Sequence, residues 1–221
     1  GRGRAVAFQD RGANTILKNV KMLSYQDTYY SNNSNNTYFE NCEVHGCVDY
    51  LCGDGNVIYN RCKFVNESRT KDKESGSDIL CAPSTSDACK WGYVFLDCSV
   101  SSNCTDFTFA RAWSNAPKAS FIRTKLLDNT LATERFCKSG INVVPGKFGE
   151  FATTNSVGNI STPESNKIQF VGKSDTKELE TVMSADEAAQ YTITNIFGEW
   201  APEKIAAQET DKDNGTIFLT T

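Results

Sequence analysis

The sequence has little of what several functional classes require. It contains one histidine, His45, and no Cys-x-x-Cys pair, so a zinc site is not expected. It lacks a basic run or stripe of the kind that binds nucleic acid. No apolar stretch approaches the roughly 20 residues that cross a bilayer. A serine hydrolase would have to use His45, yet no Gly-x-Ser-x-Gly turn is present. We therefore expect no metal, no nucleic-acid partner and no membrane span.

The chain is of a size that suits one large domain or two small ones. It has 221 residues and a formal net charge of −4. It does not begin with methionine, so the lack of a visible signal peptide is uninformative and we expect a mature or excised piece. We interpret the whole of residues 1–221 as a single domain.

Cysteine is the one residue type that is unexpectedly frequent. The nine cysteines are an odd number, which leaves at least one thiol unpaired. Cys42, Cys62 and Cys98 occupy the same place in three similar segments, and we interpret them as small buried hydrophobic residues. Cys81 and Cys89 could close a short loop. The pattern favours buried thiols with at most one or two disulfides.

Internal repeats dominate the first 126 residues. Five segments share an apolar start, a polar Asn, Asp or Arg, a small buried position and then alternation, and the first of them recur about every 20 residues. They are residues 15–22, 38–44, 57–64, 93–100 and 119–126. Short strands with a period near 20 predict a parallel β-helix whose coils stack at strand spacing. An antiparallel sandwich is the alternative, but it does not explain why positions after the strands also match.

The C-terminal region departs from this repeat. Residues 1–183 are expected to form coils and loops, with an exposed loop over residues 66–78. Ser184 and Glu187 form a capping-box pattern, which predicts one helix over residues 184–198 packed on the solenoid. Residues 199–221 are expected to be a tail or a last strand.

Two aspartates follow neighbouring repeats at the same offset. When residues 19–22 are laid over residues 41–44 without a gap, Asp27 falls on Asp49. On adjacent coils the two carboxylates would be stacked roughly 5 Å apart. Two acids that close do not both ionise easily at neutral pH, so one should hold a proton. The overlay therefore predicts an acid/base pair, although a single aspartate in a turn is usually only a turn former.

Further polar and aromatic residues are expected around this pair. Gln26 precedes Asp27 and could donate amide N–H groups to an oxyanion. Two coils later, Arg111 would hold one carboxylate ionised and leave the proton on the other. Trp113, two residues on, offers a flat surface to a sugar ring. Each also has a structural alternative: a polar ladder for Gln26, a salt bridge for Arg111 and core packing for Trp113.

These motifs, taken in order, resemble those of the pectin methylesterase family of carbohydrate esterases. The matching segments are Gln26-Asp27-Thr28-x-Tyr30, Val48-Asp49-Tyr50-x-x-Gly53 and Arg111-x-Trp113, with weaker likeness at residues 1–8, 92–100 and 149–155. The resemblance covers most of the chain. It implies an all-β, right-handed parallel β-helix, which agrees with the repeat pattern, and a chain that lacks the N-terminal coils of the family.

The resemblance also implies a mechanism for hydrolysing methyl esters of pectic homogalacturonan. Asp49 would be the nucleophile, and Asp27 the general acid and then base. Gln26 would donate to the oxyanion, and Arg111 would orient Asp49. No metal or organic cofactor would be needed. Covalent catalysis by a carboxylate with a second acid is a sound route for ester cleavage.

The remaining implications concern substrate and cellular setting. Trp113 and Tyr50 would line the galacturonate subsites. The partner would be pectin, and the protein is expected to be a monomer that is secreted, periplasmic or on the cell surface.

One departure from the family pattern bears on activity. Arg4 stands where the family usually has a glutamine that completes the oxyanion site. Arg4 could serve as a donor there, or it could disturb the carboxylate pair. Two other functions therefore stay open: a non-catalytic polysaccharide-binding β-helix, and an esterase for another ester on a related glycan.

Overall fold

A computed structural model describes residues 4–67, 78–104, 106–128, 130–210 and 218–220. Most strands belong to three parallel sheets, to which each full coil contributes one strand. The first sheet contains β1 (Phe8–Asp10), β4 (Tyr29–Ser31), β7 (Val48–Gly53), β10 (Asp78–Pro83) and β13 (Phe107–Ala110). The second contains β2 (Asn14–Lys18), β5 (Asn36–Glu40), β8 (Asn56–Asn60), β11 (Tyr93–Leu96), β14 (Lys118–Ile122) and β16 (Lys147–Phe151). The third contains β3 (Lys21–Leu23), β6 (Glu43–Gly46), β9 (Lys63–Asn66), β12 (Ser99–Ser102) and β15 (Lys125–Leu126).

This architecture is the right-handed parallel β-helix that the repeats predicted. The five predicted segments stack in register in the second and third sheets. Ile16 pairs with Tyr38, and Tyr38 pairs with Ile58 on the next coil. The sandwich alternative is therefore excluded, because these pairs are parallel and join successive coils.

The interior is filled by ladders of like residues, since stacked coils place equivalent side chains above one another. Phe39, Tyr59, Phe95 and Phe121 form an aromatic ladder with ring centroids 4.8, 4.8 and 4.1 Å apart. Such ring pairs stabilise by about 0.5–1.5 kcal/mol each beyond the area that they bury.

All nine cysteines are free thiols, and seven of them are buried. Cys42, Cys62 and Cys98 form a second interior ladder, as predicted. Cys81 and Cys89 do not form the suggested bridge, because each thiol instead donates to a backbone carbonyl oxygen, that of Phe109 and of Ser34 respectively.

The turns between the second and third sheets explain the polar residue in each repeat. Asn19, Asn41, Arg61, Asp97 and Arg123 all have positive φ, between 52° and 56°. Asparagine and aspartate tolerate this left-handed conformation better than most residues. The polar position therefore marks a tight turn between two strands of one coil.

The C-terminal region differs from the prediction of one helix over residues 184–198. The described part of this region contains three helices instead: α1 (Ala185–Ala188), α2 (Ile193–Phe197) and α3 (Pro202–Thr210). Ser184 caps α1 by accepting from the Glu187 N–H, as expected. The first helix ends at Ala188, and a second helix begins because Thr192 provides a new N-cap, accepting from the Asn195 N–H. The buried residues Ala188, Ile196 and Phe197 pack these helices against the outer face of the second sheet.

Two antiparallel elements complete the chain. A hairpin is formed by β17 (Lys167–Val171) and β18 (Thr176–Glu180). The expected last strand is β19 (Phe218–Thr220), which pairs with β2 at the edge of the second sheet. Within the tail, α3 was not predicted. Most of the loop predicted over residues 66–78 lies outside the described residues. None of the described helices is long and apolar enough to cross a membrane.

Candidate active site

The two aspartates of the overlay lie on adjacent coils in the predicted register. Gln26 forms a parallel bridge with Val48, and Tyr29 pairs with Leu51. Asp27 and Asp49 are thereby neighbours across one strand spacing of about 4.8 Å. Both have positive φ, 56° and 51°, although Asp49 lies within β7 and Asp27 lies in the bend before β4.

A cleft on the first sheet collects the acidic pair and most of the other candidates. Its volume is about 270 Å³. It is lined by Arg4, Gln26, Asp27, Asp49, Cys52, Ala82, Arg111, Trp113 and Ile141. The structure thus brings together five of the six site residues predicted from sequence.

Arg111 grips Asp49 with both ends of its guanidinium. Its Nε donates to Oδ1 at 2.8 Å, and its Nη2 donates to Oδ2. The Asp49 side chain is only 6 % exposed, and that of Arg111 is 27 % exposed. A bidentate guanidinium fixes the orientation of the carboxylate that it contacts. A fixed orientation suits a nucleophile.

Asp27 has a different environment. Burial raises its pKa, Arg4 lowers it and the charge of Asp49 raises it, with a raised pKa as the net result. Its side chain is 17 % exposed, and Arg4 Nε approaches Oδ2 at 3.4 Å. The two aspartates thus have different environments. Asp49 is held by a bidentate guanidinium, whereas Asp27 has a raised pKa, which favours its protonated form.

Trp113 lies in the cleft as predicted, although it is not on a strand. The strand β13 ends at Ala110, and alternation continues through Arg111, buried Ala112 and Trp113. Trp113 also borders a second groove of about 220 Å³ with Tyr30 and Asn115. The indole therefore joins the cleft to the groove.

The expectation that Tyr50 lines a substrate subsite is contradicted by its position. Its side chain is fully buried in the core, where its hydroxyl donates to Asn66 Oδ1 at 2.8 Å. The cause is strand alternation: Asp49 faces the cleft, so its neighbour faces the interior. Gly46 makes room for the ring, because a Cβ at that position would lie 2.1 Å from Tyr50 Cβ.

Three lining residues were not predicted. Cys52 forms a side-chain hydrogen bond with Asp27. The pKa of its thiol is raised, mainly by burial and also by the negative charges of Asp27 and Asp49. Ala82 pairs with Cys52 in the parallel register of β10 on β7. Ile141 comes from a distant loop. An overlay extended to β10 would have found Ala82, whereas nothing in the repeat pattern indicates Ile141.

His45, the single histidine, lies away from the candidate site. His45 lies in β6, outside the cleft lining, between Glu43 and Glu67, with ring nitrogens 2.5 and 2.6 Å from their carboxylates. Across the described ranges, no group of three or more His, Cys, Asp or Glu residues is arranged to hold a metal ion.

The fold and the site together define the class of this protein: it is a right-handed parallel β-helix that carries a pair of carboxylates in a cleft on one sheet. A family model described as Pectinesterase matches residues 1–197. The chain belongs to the pectinesterase family, which is a family of carboxylic ester hydrolases.

Individual relatives give the same family at low identity. Pectinesterase A of Dickeya chrysanthemi is 27 % identical over 206 residues, covering 86 % of this chain and 55 % of that protein. Putative pectinesterase 11 of Arabidopsis thaliana is 30 % identical over 119 residues, covering 54 % and 32 %. The chain thus spans from about a third to just over half of the length of these relatives.

Solved structures support the fold. Pectin methylesterase PemA from Erwinia chrysanthemi superposes with a TM-score of 0.67 at 21 % identity, covering 88 % of this chain and 60 % of that one. A pectin methylesterase crystallised with a hexasaccharide superposes with a TM-score of 0.65 at 23 % identity, covering 85 % and 58 %. At this identity the likeness establishes the parallel β-helix alone.

Proposed function

We propose that this protein hydrolyses methyl esters of pectic homogalacturonan, releasing methanol and leaving a free carboxylate on the polymer. The observation that carries the proposal is the stacked pair Asp27 and Asp49, with Arg111 holding Asp49, in one open cleft. Membership of the pectinesterase family supports the same reaction.

In the first step, the Asp49 carboxylate attacks the carbonyl carbon of the methyl ester. The carbonyl oxygen takes up negative charge, and the Gln26 amide that lines the cleft is the proposed donor to it. Asp27 gives its proton to the methoxy oxygen as the carbon–oxygen bond breaks. Methanol leaves, and the uronate acyl group is joined to Asp49 as an anhydride. The raised pKa of Asp27 supports this role, because a general acid must begin protonated.

In the second step, the same two residues exchange roles with water. Asp27, now ionised, takes a proton from a water molecule whose oxygen attacks the acyl carbon. The anhydride opens, Asp49 is regenerated as a carboxylate beside Arg111, and the polymer departs with a free uronic acid. Asp27 ends protonated, so the cycle closes without a metal or an organic cofactor.

The substrate would lie along the continuous surface formed by the cleft and the second groove, which both border Trp113. The cleft and the second groove meet at its indole, and Tyr30 lies 6.2 Å from it between ring centroids. An aromatic face can support a sugar ring while asparagine side chains meet its hydroxyls. A pectin polymer is the proposed ligand of this site, and we propose that the protein is a monomer that is secreted, periplasmic or on the cell surface.

A second candidate is a binding protein without catalysis. The contact between Arg4 and Asp27 favours it, since a cation beside the general acid stabilises the ionised form. Such a protein would bind polygalacturonate and release no methanol.

The test measures methanol released from methyl-esterified pectin by the wild type and by Asp49→Ala and Asp27→Asn. We expect Asp49→Ala to abolish the reaction and Asp27→Asn to slow it by about 10²–10⁴-fold. Asp97→Asn is the matched control: Asp97 also has positive φ and is gripped by Arg123 at 2.6 and 2.7 Å, but it lies at an exposed turn away from the cleft.

The outcomes separate the candidates. Full activity in Asp49→Ala would rule out the mechanism. A wild type that binds polygalacturonate but releases no methanol would favour the binding protein, and a rise in activity on Arg4→Gln would then identify Arg4 as the cause.

A further inference from the structure

Two guanidiniums line the cleft, and they are held very differently. Arg111 makes a bidentate contact with Asp49, and its side chain is 27 % exposed. Arg4 approaches Asp27 through Nε at 3.4 Å, and its side chain is 75 % exposed. The guanidinium of Arg111 is therefore occupied by Asp49, whereas most of the Arg4 side chain is exposed to solvent.

The contact between Arg4 and Asp27 is easily exchanged. Its 3.4 Å exceeds the roughly 2.7–2.9 Å of a strong hydrogen bond between charged groups. An ion pair with one partner as exposed as Arg4 contributes little to stability. A planar guanidinium binds a carboxylate best through two parallel N–H donors, and a carboxylate from solution can offer Arg4 that geometry. An incoming anion would thus replace a weak partner with a better one.

We propose that Arg4 is a specificity-determining residue that binds a free uronate carboxylate next to the ester being cleaved. This inference rests on the proposed function, because it assumes that a homogalacturonan chain occupies the cleft. A neighbouring residue that still carries its methyl ester has no charge and offers Arg4 only a neutral carbonyl oxygen. The protein would therefore act fastest on chains that are already partly de-esterified.

Binding of that carboxylate also prepares the general acid. Arg4 lowers the pKa of Asp27, against the raising effects of burial and of Asp49. When a substrate carboxylate draws Arg4 away, the lowering effect weakens and Asp27 more readily takes a proton from solvent. The protonated form is the one that the first step requires. A free carboxylate on the substrate thus contributes both to binding and to the chemical step.

A different role for Arg4 makes a different prediction. If its guanidinium donated to the oxyanion, its removal would slow cleavage of every ester, whatever the state of the neighbouring residue. Recognition of a carboxylate instead changes the ratio between substrates. The ratio of rates on two substrates therefore decides between the two roles.

The experiment measures kcat/KM for methanol release from fully methyl-esterified oligogalacturonate and from partially esterified oligogalacturonate of the same length. We expect the wild type to prefer the partially esterified substrate, per ester group, by about five-fold, the factor that corresponds to about 1 kcal/mol. Arg4→Gln should remove the preference. High salt should weaken it in the wild type, because exposed charges are screened.

Arg61→Gln is the matched control. Arg61 is also exposed, at 56 %, and pairs with Glu40 at 3.5 Å, but it lies at a turn between the second and third sheets. Its replacement changes the net charge by the same amount. We expect Arg61→Gln to keep the substrate preference, which excludes a general effect of charge on polymer binding.

A binding measurement decides the assignment even if methanol is not released. Calorimetric titration with unesterified oligogalacturonate should show about five-fold weaker binding in Arg4→Gln and unchanged binding in Arg61→Gln. If the wild type releases no methanol but this difference is seen, the proposed function fails and the carboxylate site at Arg4 stands. If Arg4→Gln slows both substrates equally, or leaves both ratio and affinity unchanged, the role of Arg4 is overturned while the proposed function stands.

Discussion

Two arginine–carboxylate pairs in this molecule are built alike and are placed differently. Arg111 holds Asp49 in the cleft, and Arg135 holds Glu150 inside the solenoid, in each case through Nε and Nη2 to both oxygens. The interior contacts are 2.7 and 2.6 Å. The two guanidinium–carboxylate contacts therefore have nearly the same geometry. What differs is access to water and the neighbouring groups.

The interior pair arises because Glu150 stands in the aromatic ladder. It pairs in register with Phe121, and so takes the position at which the preceding coils have rings. The Thr153 hydroxyl donates to its Oε2 at 2.6 Å, and Arg135 lies 5.9 Å from the Phe109 ring centroid. This carboxylate is completely buried and saturated with donors. The Arg111–Asp49 pair differs in that a second carboxylate, Asp27, and an open cleft adjoin it.

The largest effect that separates the two pairs is expected from Glu150→Gln. It leaves the Arg135 guanidinium buried without its counter-charge, which typically costs about 3–5 kcal/mol. Urea unfolding should show this loss, while methanol release per folded molecule stays at the wild-type rate. A variant of normal stability with reduced activity would show that the interior pair is functional after all.

Arg111→Gln should give the opposite result. Loss of the cation that holds the proposed nucleophile, Asp49, is expected to lower kcat about 100-fold, which equals about 2.7 kcal/mol in the barrier. Stability should fall by less than in Glu150→Gln, because the Arg111 side chain is partly exposed and water can replace its guanidinium beside Asp49. Parallel measurement of kcat and unfolding tests both halves. Near-normal kcat would mean that Arg111 is only a structural ion pair.

The same contrast explains how much of the fold could be predicted from sequence. The stacked coils were predictable because each repeats one local pattern, in which a polar turn residue such as Asn19 or Asn41 is followed by a small buried position. The C-terminal helices were predicted less well. The cap at Thr192 competes with helix continuation, and a periodic apolar pattern does not reveal that break. Residues that stack on unlike neighbours, as Glu150 does on Phe121, leave no repeat signal.

The site divides in the same way. Gln26, Asp27 and Asp49 follow from register alone, since a gapless overlay places them on adjacent coils. Arg111 was expected beside them as a residue two coils later, a weaker argument because the longer spacing of these later repeats allows no gapless overlay. Ile141 could not be predicted at all, as it reaches the cleft from an irregular segment.

Tyr50 was predicted wrongly because the motif was applied without strand alternation, and Tyr50→Phe gives the smallest of these effects. Asn66 is buried, and among the described residues its Nδ2 has no hydrogen-bond partner, so loss of the Tyr50 hydroxyl would leave its Oδ1 unpaired as well. We expect a loss of about 1–2 kcal/mol in unfolding free energy with unchanged KM and kcat on pectin. Trp113→Ala is the comparison, and it should raise KM with little change in stability. A raised KM in Tyr50→Phe would mean that the core at Gly46 and Tyr50 shapes the cleft, which would blur the boundary between interior and site drawn by the two arginine pairs.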